Sequence, residues 1–468
     1  MKKIALIGGG SVRTFYFMES LIRFADRLSI GSVSIMDNDP EKLRVFGGLS
    51  RYLVQKQKSS LQVELTEDPI RAVEGADYVV TTLRVGQDAQ RCVDERIALD
   101  RGLIGQETTG AGGFSYAIRT IPTILEYMKL IREKSNHAIV FNFTNPSGLV
   151  TQAIYDAGFR DVIGICDNAT GIKIDLSKAL RINASEMIVK VYGLNHLSWA
   201  NAVEIGGVNI LPDLLRNDSF VQSFHQFEYF DRDLIRALGE IPNGYLYYFY
   251  HRERALKNLL ASPCTRGESI RRINDSMMKE LRHVSIEEEP ERALAIYRHF
   301  MQEREGSYMN IEMGGSHGGG EPFDPKSLGM EKLLGNRPFT EVYEGYAGVA
   351  MNFIESLNSG KEIDLAISVP NEGAIEGLAD DDVVEVTCTV DGSGAKPMKF
   401  RNLPESNLLL IQTIKRYERL TVEAVKQKSK ALAVEALTIH PLVNSYSLAK
   451  DLVEAYCKAN APWIGEWK

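Results

Sequence analysis

Cysteine is scarce in this sequence, and the few cysteines present are scattered. Among 468 residues there are 5, with no two in CxxC spacing: Cys92, Cys166, Cys264, Cys388 and Cys457. An odd number of widely spaced cysteines argues against a disulfide framework. We therefore expect reduced thiols in a cytoplasmic protein.

Long apolar runs and excess positive charge are also missing. The opening "MKKIALIGGG" starts with basic residues, but its apolar run "IALI" is too short for a signal peptide, and no later stretch approaches a membrane span. The formal net charge of -8 offers no electrostatic reason for binding to nucleic acid or to an anionic membrane. We expect neither as a partner, and a chain of this length is sufficient for two or three domains.

The first part of the chain alternates between strand and helix patterns. The segments "KIALIGGGS", "SVSIMDND", "ADYVVTTLR" and "AIVFNFTNPSG" each predict a strand that ends in polar or glycine residues. Helical spacing occurs between them, as in "FYFMESLIRFA" and "FSYAIRTIPTILEYMKLIREKS". The alternation continues to "DVIGICDN" and predicts a Rossmann-like, doubly wound parallel sheet over residues 1–195.

Residues 196–468 have a different pattern and predict a mainly helical α+β domain, which we expect to cap the cleft at the carboxyl edge of the sheet. Three helices are predicted, from "DRDLIRALGEI", "SMMKELRHVSIEEEPERALAIYRHFMQE" and "LLLIQTIKRYERLTVEAVKQKSKALAVEAL". The segment "DDVVEVTCTVDGSGAKPMKF" predicts a β-hairpin, and the glycine-rich residues 314–325 predict a loop. The class is therefore α/β, with two domains.

The turn after the first strand is typical of nucleotide binding. Glycine lets the backbone approach a pyrophosphate at a helix N-terminus, and the third glycine of GxGxxG is replaced here by Arg13. A plain tight turn is the alternative. Asp37, at the end of the second strand, is placed to bind a ribose 2′-hydroxyl, which favours NAD over NADP. The predicted cofactor residues are Gly8, Gly9, Gly10, Ser11 and Asp37.

A cysteine at a strand end raises the question of metal chemistry. In "IGICDN", Cys166 follows an apolar run, and "YGLNHLSWA" offers His196 after another predicted strand. A thiolate and an imidazole can share a metal ion, although each residue alone is more often an ordinary core side chain. Two protein ligands are too few for a closed structural zinc centre, so water or substrate oxygens would complete the coordination.

At this point the sequence resembles glycoside hydrolase family 4. The segments "IGGGS", "LIGQETTGAGGFS", "FNFTNPSG", "IGICDN", "YGLNHLSW" and "NGYLYYFY" occur in the order typical of that family. The resemblance continues through "NEGAIEGLADDDVVEV", "RYERLTVEA" and "TIHPLV", and thus covers nearly the whole chain. It implies an enzyme that depends on NAD and on a divalent metal, usually Mn²⁺, and that acts on 6-phosphoglycosides.

The family resemblance also implies a mechanism, which is an exception to the two-carboxylate scheme of most glycosidases. NAD takes a hydride from C3 of the sugar, and the resulting ketone acidifies the C2 proton. A base removes that proton while the metal stabilises the enediolate. The C1 leaving group departs, water adds, and the hydride returns to C3.

The resemblance assigns roles to individual residues. Cys166 and His196 become the metal ligands, and Tyr245, the first tyrosine of "NGYLYYFY", becomes the C2 base; without the family, an aromatic core stripe is the preferred interpretation. A phenol titrates near pH 10, so a nearby cation must stabilise the phenolate. Candidate substrate-binding residues are Asn145, Arg266 and Arg84. The alternatives are an ordinary turn asparagine for Asn145, the cation beside the Tyr245 phenolate for Arg266, and a ligand of the cofactor phosphate or a surface arginine for Arg84.

Two markers of the substrate anomer disagree. Asp167 follows the cysteine where β-acting members commonly have Asn, and as an acid for the leaving oxygen it resembles the α-acting branch. "GQETTGAGGFS" instead resembles the β-acting branch. We give the longer motif more weight and predict a 6-phospho-β-glucosidase that releases glucose 6-phosphate.

Several alternatives stay open at this stage. A 6-phospho-α-glucosidase or a 6-phospho-galactosidase would have the same family motifs, and an NAD-dependent 2-hydroxy-acid or sugar dehydrogenase would share a similar nucleotide-binding half. His317, in "GGSHGGG", is a further possible metal ligand, for which a loop histidine is the preferred interpretation. The resemblance implies that residues 196–468 bind the substrate and form the contacts of a homodimer or homotetramer.

Overall fold

The computed structural model describes residues 1–315, 323–329, 333, 339 and 345–468, and they form two compact units. The first comprises Met1–Gly164, Leu256–Gly314 and Arg416–Lys468; the second comprises Ile165–Ala255 and Gly315–Lys415. Each unit combines distant stretches of the chain, whereas the sequence interpretation gave each domain one continuous stretch. The boundary at residues 195 and 196 stays a prediction.

The first unit contains a parallel sheet. Its strands are β1 (Lys2–Ile7), β2 (Ile30–Met36), β3 (Gln62–Thr66), β4 (Tyr78–Thr81), β5 (Ile139–Asn142) and β6 (Val162–Gly164). They pair in the order β3-β2-β1-β4-β5-β6, all parallel. Strands covered on both faces need near-continuous apolar sequence, and the last four residues of β1 are fully buried. The predicted Rossmann-like sheet is confirmed, and its strand order reverses between β1 and β4, where such sheets bind ligands.

The second unit is built around two antiparallel groups of strands. Its strands are β7 (Met187–Leu194), β8 (Leu197–Ile205), β9 (Val208–Asn209), β10 (Ile241–Pro242), β11 (Ile363–Pro370), β12 (Val383–Asp391) and β13 (Gly394–Pro397). β7 and β8 form a hairpin, and β9 and β10 both pair with β8. β11, β12 and β13 pair in sequence order. The predicted hairpin around residue 392 is therefore confirmed.

Helices make up most of the rest of the described chain, and none of those described is long and apolar enough to cross a membrane. Their bounds are Thr14–Ala25, Pro40–Lys42, Gly48–Lys56, Pro69–Val73, Gln87–Leu99, Gly110–Lys134, Ser147–Asp156, Asp167–Leu180, Leu211–Arg216, Asp218–Ser223, Arg232–Leu238, Tyr247–Tyr250, Arg252–Ala261, Arg266–Leu281, Pro290–Gly306, Asn310–Met313, Gly345–Ser359, Glu405–Gln427, Lys430–Ile439 and Tyr446–Ile464.

Two of the predicted helices are wrong in extent because each is two helices. The pattern predicted over 276–303 is divided between Arg266–Leu281 and Pro290–Gly306, and the second begins where proline occupies the first helical position. The predicted terminal helix breaks after Gln427, where Lys428 has a φ of 52°. The side chain of Ser429 then accepts a hydrogen bond from the Leu432 amide and caps a new helix. His317 lies outside the described residues.

Candidate active site

The structure brings Cys166 and His196 together within the second unit. Cys166 caps the N-terminus of helix Asp167–Leu180, and His196 occupies the two-residue turn between β7 and β8, where Leu194 pairs with Leu197. The sulfur lies 3.5 Å from Nε2 of His196. Both residues are buried, with 5% and 7% of their surface exposed. The turn demands an unusual backbone, since His196 has a φ of 64°.

This pair fits a shared divalent ion. A thiolate and an imidazole bound to one ion of zinc's size lie about 2.3 Å and 2.0 Å from it, so their donor atoms are at most about 4.3 Å apart. The observed 3.5 Å meets that condition. No cluster of three or more His, Cys, Asp or Glu side chains arranged to hold a metal occurs among the described residues. An ion held by this pair would therefore take its remaining ligands from water or substrate oxygens.

The surroundings of Cys166 favour the protonated thiol in the absence of positive charge. Burial raises the pKa of the Cys166 thiol well above its usual range, and the carboxylates of Asp167 and Glu385 add to this rise. The Asn168 amide and the Asn195 side chain hydrogen-bond to the sulfur and partly oppose it. A divalent cation would reverse this balance, because a coordinated thiol loses its proton.

Tyr245 stacks directly on His196. The two ring centroids are 3.9 Å apart and the ring planes differ by 5°. Tyr245 is half-buried, whereas Tyr247 and Tyr248 are 4% and 1% exposed. A short helical turn, Gly244–Leu246, holds Tyr245, and the Asn243 side chain accepts a hydrogen bond from the Tyr245 amide at 3.0 Å. The predicted base is thus the tyrosine of this segment that lies against a predicted metal ligand.

Asp167 lies in the first turn of its helix, next to the predicted metal ligand. Its carboxylate is 4.0 Å from the Cys166 sulfur, and a negative charge at a helix N-terminus is stabilised by the helix dipole. The predicted acid therefore belongs to the same cluster as Cys166, His196 and Tyr245.

In the first unit, the glycine turn follows β1 as predicted. A Cβ on Gly8 would lie 2.7 Å from the Thr82 carbonyl oxygen, and one on Gly9 would lie 2.2 Å from the Ile35 side chain. Gly8 also has a φ of +91°, a conformation that suits glycine. Ser11 closes the turn by donating its amide hydrogen to the Gly8 carbonyl. A side chain at Gly8 or Gly9 would clash with these neighbours, so the close packing of the turn requires glycine at both positions.

Asp37 reaches this turn from the end of β2. Its carboxylate accepts hydrogen bonds from the Gly10 amide at 2.7 Å and the Asp39 amide at 3.0 Å. Burial raises the pKa of Asp37, and these two amides partly oppose the rise. The predicted ribose ligand thus sits beside the predicted pyrophosphate turn, as the dinucleotide-binding arrangement requires.

Arg84 lies beyond β4 in a dense cluster of charges. Its guanidinium is 2.7 Å from Glu107, which is also 3.0 Å from Arg91. Burial raises the pKa of Glu107, but the two guanidiniums lower it well below its usual range. Arg304 also belongs to this electrostatic group, and burial lowers its pKa to about 10, with Arg13 adding to the effect. Arg91 also lies 2.7 Å from Glu95, and Arg84 lies 3.9 Å from Asp88, so the carboxylates of this cluster offset much of its positive charge.

Arg266 and Asn145 also lie in the first unit. Arg266 begins helix Arg266–Leu281, donates to the Ser307 carbonyl and lies 5.2 Å from the centre of the Tyr308 ring. Asn145 accepts a hydrogen bond from the Ser147 amide at 3.3 Å and is half-buried. Their assignment to the substrate stays a prediction.

Sequence reasoning missed two carboxylates beside the predicted residues, one half-buried and one fully buried. Glu107 stands within the quoted motif "GQETTGAGG", yet it was not named as the partner of Arg84. Glu385, 1% exposed, stands among the valines of β12. A charge inside an apolar strand is the signal that could have identified it, because buried carboxylates need partners.

The dinucleotide-binding type of sheet in the first unit and the Cys–His–Tyr cluster in the second are typical of a nucleotide-dependent enzyme, in which Cys166 and His196 are a candidate metal-binding pair. Family comparison narrows this class. Residues 3–182 match the model of family 4 glycosyl hydrolase, and residues 191–443 match that of the family 4 glycosyl hydrolase C-terminal domain. The chain belongs to glycosyl hydrolase family 4.

Individual relatives agree with this placement. The chain is 31% identical to a protein of Bacillus subtilis (strain 168) named "Probable 6-phospho-beta-glucosidase", over 99% of this chain and 98% of that one. It is 26% identical, over the whole length of both, to a "Phospho-alpha-glucosidase" of Clostridium acetobutylicum. A solved structure of the Thermotoga maritima 6-phospho-beta glucosidase with manganese, NAD⁺ and glucose-6-phosphate superposes with a TM-score of 0.80 at 27% identity, covering both chains completely.

Proposed function

We propose that this protein is a cytoplasmic, NAD- and divalent-metal-dependent 6-phospho-β-glucosidase. The observation that carries the proposal is the cluster in the second unit, where His196 contacts both Cys166 and Tyr245. These three residues are distant in the chain, and a purely structural role would not require a thiol, an imidazole and a phenol together. Family membership and the relatives named 6-phospho-β-glucosidase support the substrate class.

The chain's own residues hold the cofactors and move the proton. Cys166 and His196 hold the ion, while the turn at Gly8–Ser11 and the Asp37 carboxylate hold the pyrophosphate and ribose of NAD. When bound, NAD supplies a hydride acceptor for C3 of the sugar and the ion supplies positive charge at the sugar oxygens. Tyr245 accepts the C2 proton at its phenolic oxygen, which general base catalysis requires to be within hydrogen-bond reach.

The other predicted residues act on the leaving group, the phosphate and the hydroxyls of the substrate. Asp167, half-buried beside Cys166, donates a proton to the leaving oxygen at C1. Arg84 and Arg266 pair with the substrate's 6-phosphate, and Asn145 hydrogen-bonds the sugar hydroxyls. Arginine suits phosphate because its planar fork of donors matches the oxygens of the anion.

Two further features complete the proposal. A β-linked glucoside is preferred over an α-linked one because "GQETTGAGGFS" follows the β-acting pattern, although Asp167 follows the α-acting pattern and one relative is a phospho-α-glucosidase. The enzyme assembles as a homodimer or homotetramer, which light scattering after size-exclusion chromatography measures.

One experiment tests class, anomer and epimer together. The purified protein is supplied with NAD, Mn²⁺ and a reductant, and then with each of the four 6-phospho-α- and β-glucosides and galactosides. We expect hydrolysis of the 6-phospho-β-glucoside with only a catalytic requirement for NAD and no net NADH absorbance. Preference for an α-linked or galacto substrate would overturn the assigned specificity. NADH accumulation in step with product would indicate a dehydrogenase.

A further inference from the structure

The buried carboxylate of Glu385 is hydrogen-bonded to two residues of the hairpin that carries His196. It lies on β12 with 1% of its surface exposed. Its Oε1 accepts a hydrogen bond from the Asn195 side chain at 2.9 Å, and its Oε2 accepts one from the Ser198 hydroxyl at 3.4 Å. Asn195 precedes His196 in the turn between β7 and β8, and Ser198 follows it near the start of β8. One carboxylate therefore binds both sides of the turn.

The hydrogen bond from Asn195 to Glu385 restrains the turn that carries the predicted metal ligand His196. Asn195 precedes His196 within the two-residue turn. His196 has a φ of 64°, a strained conformation that persists only where the surroundings enforce it. Glu385 supplies such a restraint from a neighbouring strand.

The Ser198 bond leads to the tyrosine. The Ser198 hydroxyl accepts from the Asn243 side-chain amide at 3.2 Å, and the side-chain oxygen Oδ1 of Asn243 accepts from the Tyr245 backbone amide at 3.0 Å. Asn243 also donates its own amide hydrogen to the Ser198 carbonyl. Ser198 and Asn243 are both completely buried, so this chain of bonds is shielded from water.

We propose that Glu385 is a positioning residue that sets His196 and Tyr245 relative to each other through these two branches. The inference rests on the proposed function in one respect, because it assumes that His196 binds the metal and that Tyr245 is the base. Glu385 itself needs no contact with substrate, cofactor or ion. Removing a group that orients a metal ligand typically costs about 10–100-fold in metal affinity or activity.

The chain offers a matched control on the same strand. Thr387 lies two residues from Glu385, on the same face of β12. Its hydroxyl accepts from the Val191 amide and donates to the Val189 carbonyl, both at 2.8 Å. Thr387 therefore ties β12 to the middle of β7, whereas Glu385 reaches the turn at its end. A general loosening of this region should affect both variants equally.

The test compares four variants of the full-length protein for Mn²⁺ binding by calorimetry and for kcat with the 6-phosphoglucoside that the wild type hydrolyses. Glu385→Gln keeps the volume and should lower both Mn²⁺ affinity and kcat by about 10–100-fold. Asn195→Ala should lower Mn²⁺ affinity, while Ser198→Ala should lower kcat with Mn²⁺ affinity retained. Thr387→Val should leave both values close to wild type. Equal effects of Glu385→Gln and Thr387→Val, or wild-type behaviour of Glu385→Gln, would overturn the proposal.

A crystal structure of Glu385→Gln separates this inference from the proposed function. The expected result is displacement of the His196 ring from Tyr245, whose centroids are 3.9 Å apart in the wild type. An unmoved ring pair would overturn the positioning role whatever the metal does. If instead Cys166→Ser leaves wild-type Mn²⁺ binding intact, the assigned metal site is wrong, and displacement of the rings would still support the role of Glu385.

Discussion

The glycine turn of the first unit and the Cys–His–Tyr cluster of the second are assembled in opposite ways. The turn is made from backbone groups next to one another in the chain, joined by a single carboxylate from the end of the adjacent strand. The cluster is made from side chains that belong to four separated segments around residues 166, 196, 245 and 385. A backbone site tolerates the loss of one side chain, whereas a cluster of mutually oriented side chains does not. Substitutions in the cluster should therefore have the larger effects.

The largest effect should follow Tyr245→Phe. This change removes one oxygen and keeps the aromatic ring that stacks on His196, so the protein should fold and bind NAD and Mn²⁺. Loss of the C2 base should lower kcat by about 10²–10⁴-fold, the usual contribution of general acid–base catalysis. Tyr248→Phe, at a buried tyrosine of the same segment, is the control and should stay active. Near-wild-type turnover of Tyr245→Phe would assign Tyr245 to packing.

Cys166→Ser should have a smaller effect, which is a loss of Mn²⁺ affinity. The substitution removes the sulfur that lies 3.5 Å from His196 and should weaken Mn²⁺ binding by at least the roughly 10–100-fold seen when a partner of a metal ligand is lost. Calorimetric titration with Mn²⁺ measures this change, and NAD binding should be retained because the glycine turn belongs to the other unit. Cys388→Ser, at another buried thiol, serves as control. Activity that survives both Cys166→Ser and exhaustive chelation would exclude a catalytic metal at this pair.

Asp37→Ala should change cofactor selectivity more than activity. The carboxylate repels a 2′-phosphate, so its removal should narrow the preference for NAD over NADP, on the order of tenfold for a change of about 1.4 kcal/mol. Binding titrations with the two cofactors provide the measurement. Identical ratios in the variant and the wild type would mean that Asp37 does not face the ribose.

The substitution expected to affect activity least acts on stability rather than on chemistry. Glu240 is buried, and its carboxylate accepts hydrogen bonds from Tyr192 at 2.8 Å and from Asn407 at 3.0 Å. Burial raises its pKa from 4.5 to about 7, so the folded protein holds this proton more tightly than the unfolded chain does. The stability that Glu240 contributes is therefore complete below pH 4.5 and is lost as the pH rises to about 7.

Glu240→Gln cannot titrate and should lack this loss. Between pH 5 and pH 8 the wild type should lose about 1–3 kcal/mol of unfolding free energy relative to the variant. Denaturant unfolding at the two pH values measures this change. Glu376→Gln, at an exposed position, should follow the wild-type profile. Parallel profiles for Glu240→Gln and wild type would contradict the assigned titration.

The difference between the two regions also explains how much could be predicted from sequence. Local signals sufficed for the glycine turn, because its residues lie at consecutive positions after an apolar strand. They also sufficed for the parallel strands, whose apolar runs are nearly continuous. Helix breaks were harder: the apolar spacing runs across residues 282–289 and 428–429, and only the caps and a positive φ interrupt the helices there.

For the cluster, the sequence indicated the members but not their arrangement. The motif resemblance identified Cys166, His196 and Tyr245, and the structure adds that His196 lies against each of the other two. Glu385 could not be found in this way, because its partners Asn195 and Ser198 are almost 190 residues earlier. Arg84, Arg266 and Asn145 remain predictions for the substrate phosphate and hydroxyls.

The most direct test of the account is wild-type turnover of the 6-phosphoglucoside in D₂O, followed by analysis of the product at C2 by NMR or mass spectrometry. Removal of the C2 proton by Tyr245, departure of the leaving group and addition of water should leave deuterium at C2 of the glucose 6-phosphate. Product incubated in D₂O without enzyme corrects for spontaneous exchange. A product that is wholly protiated at C2 would mean direct displacement at C1 and would contradict the account.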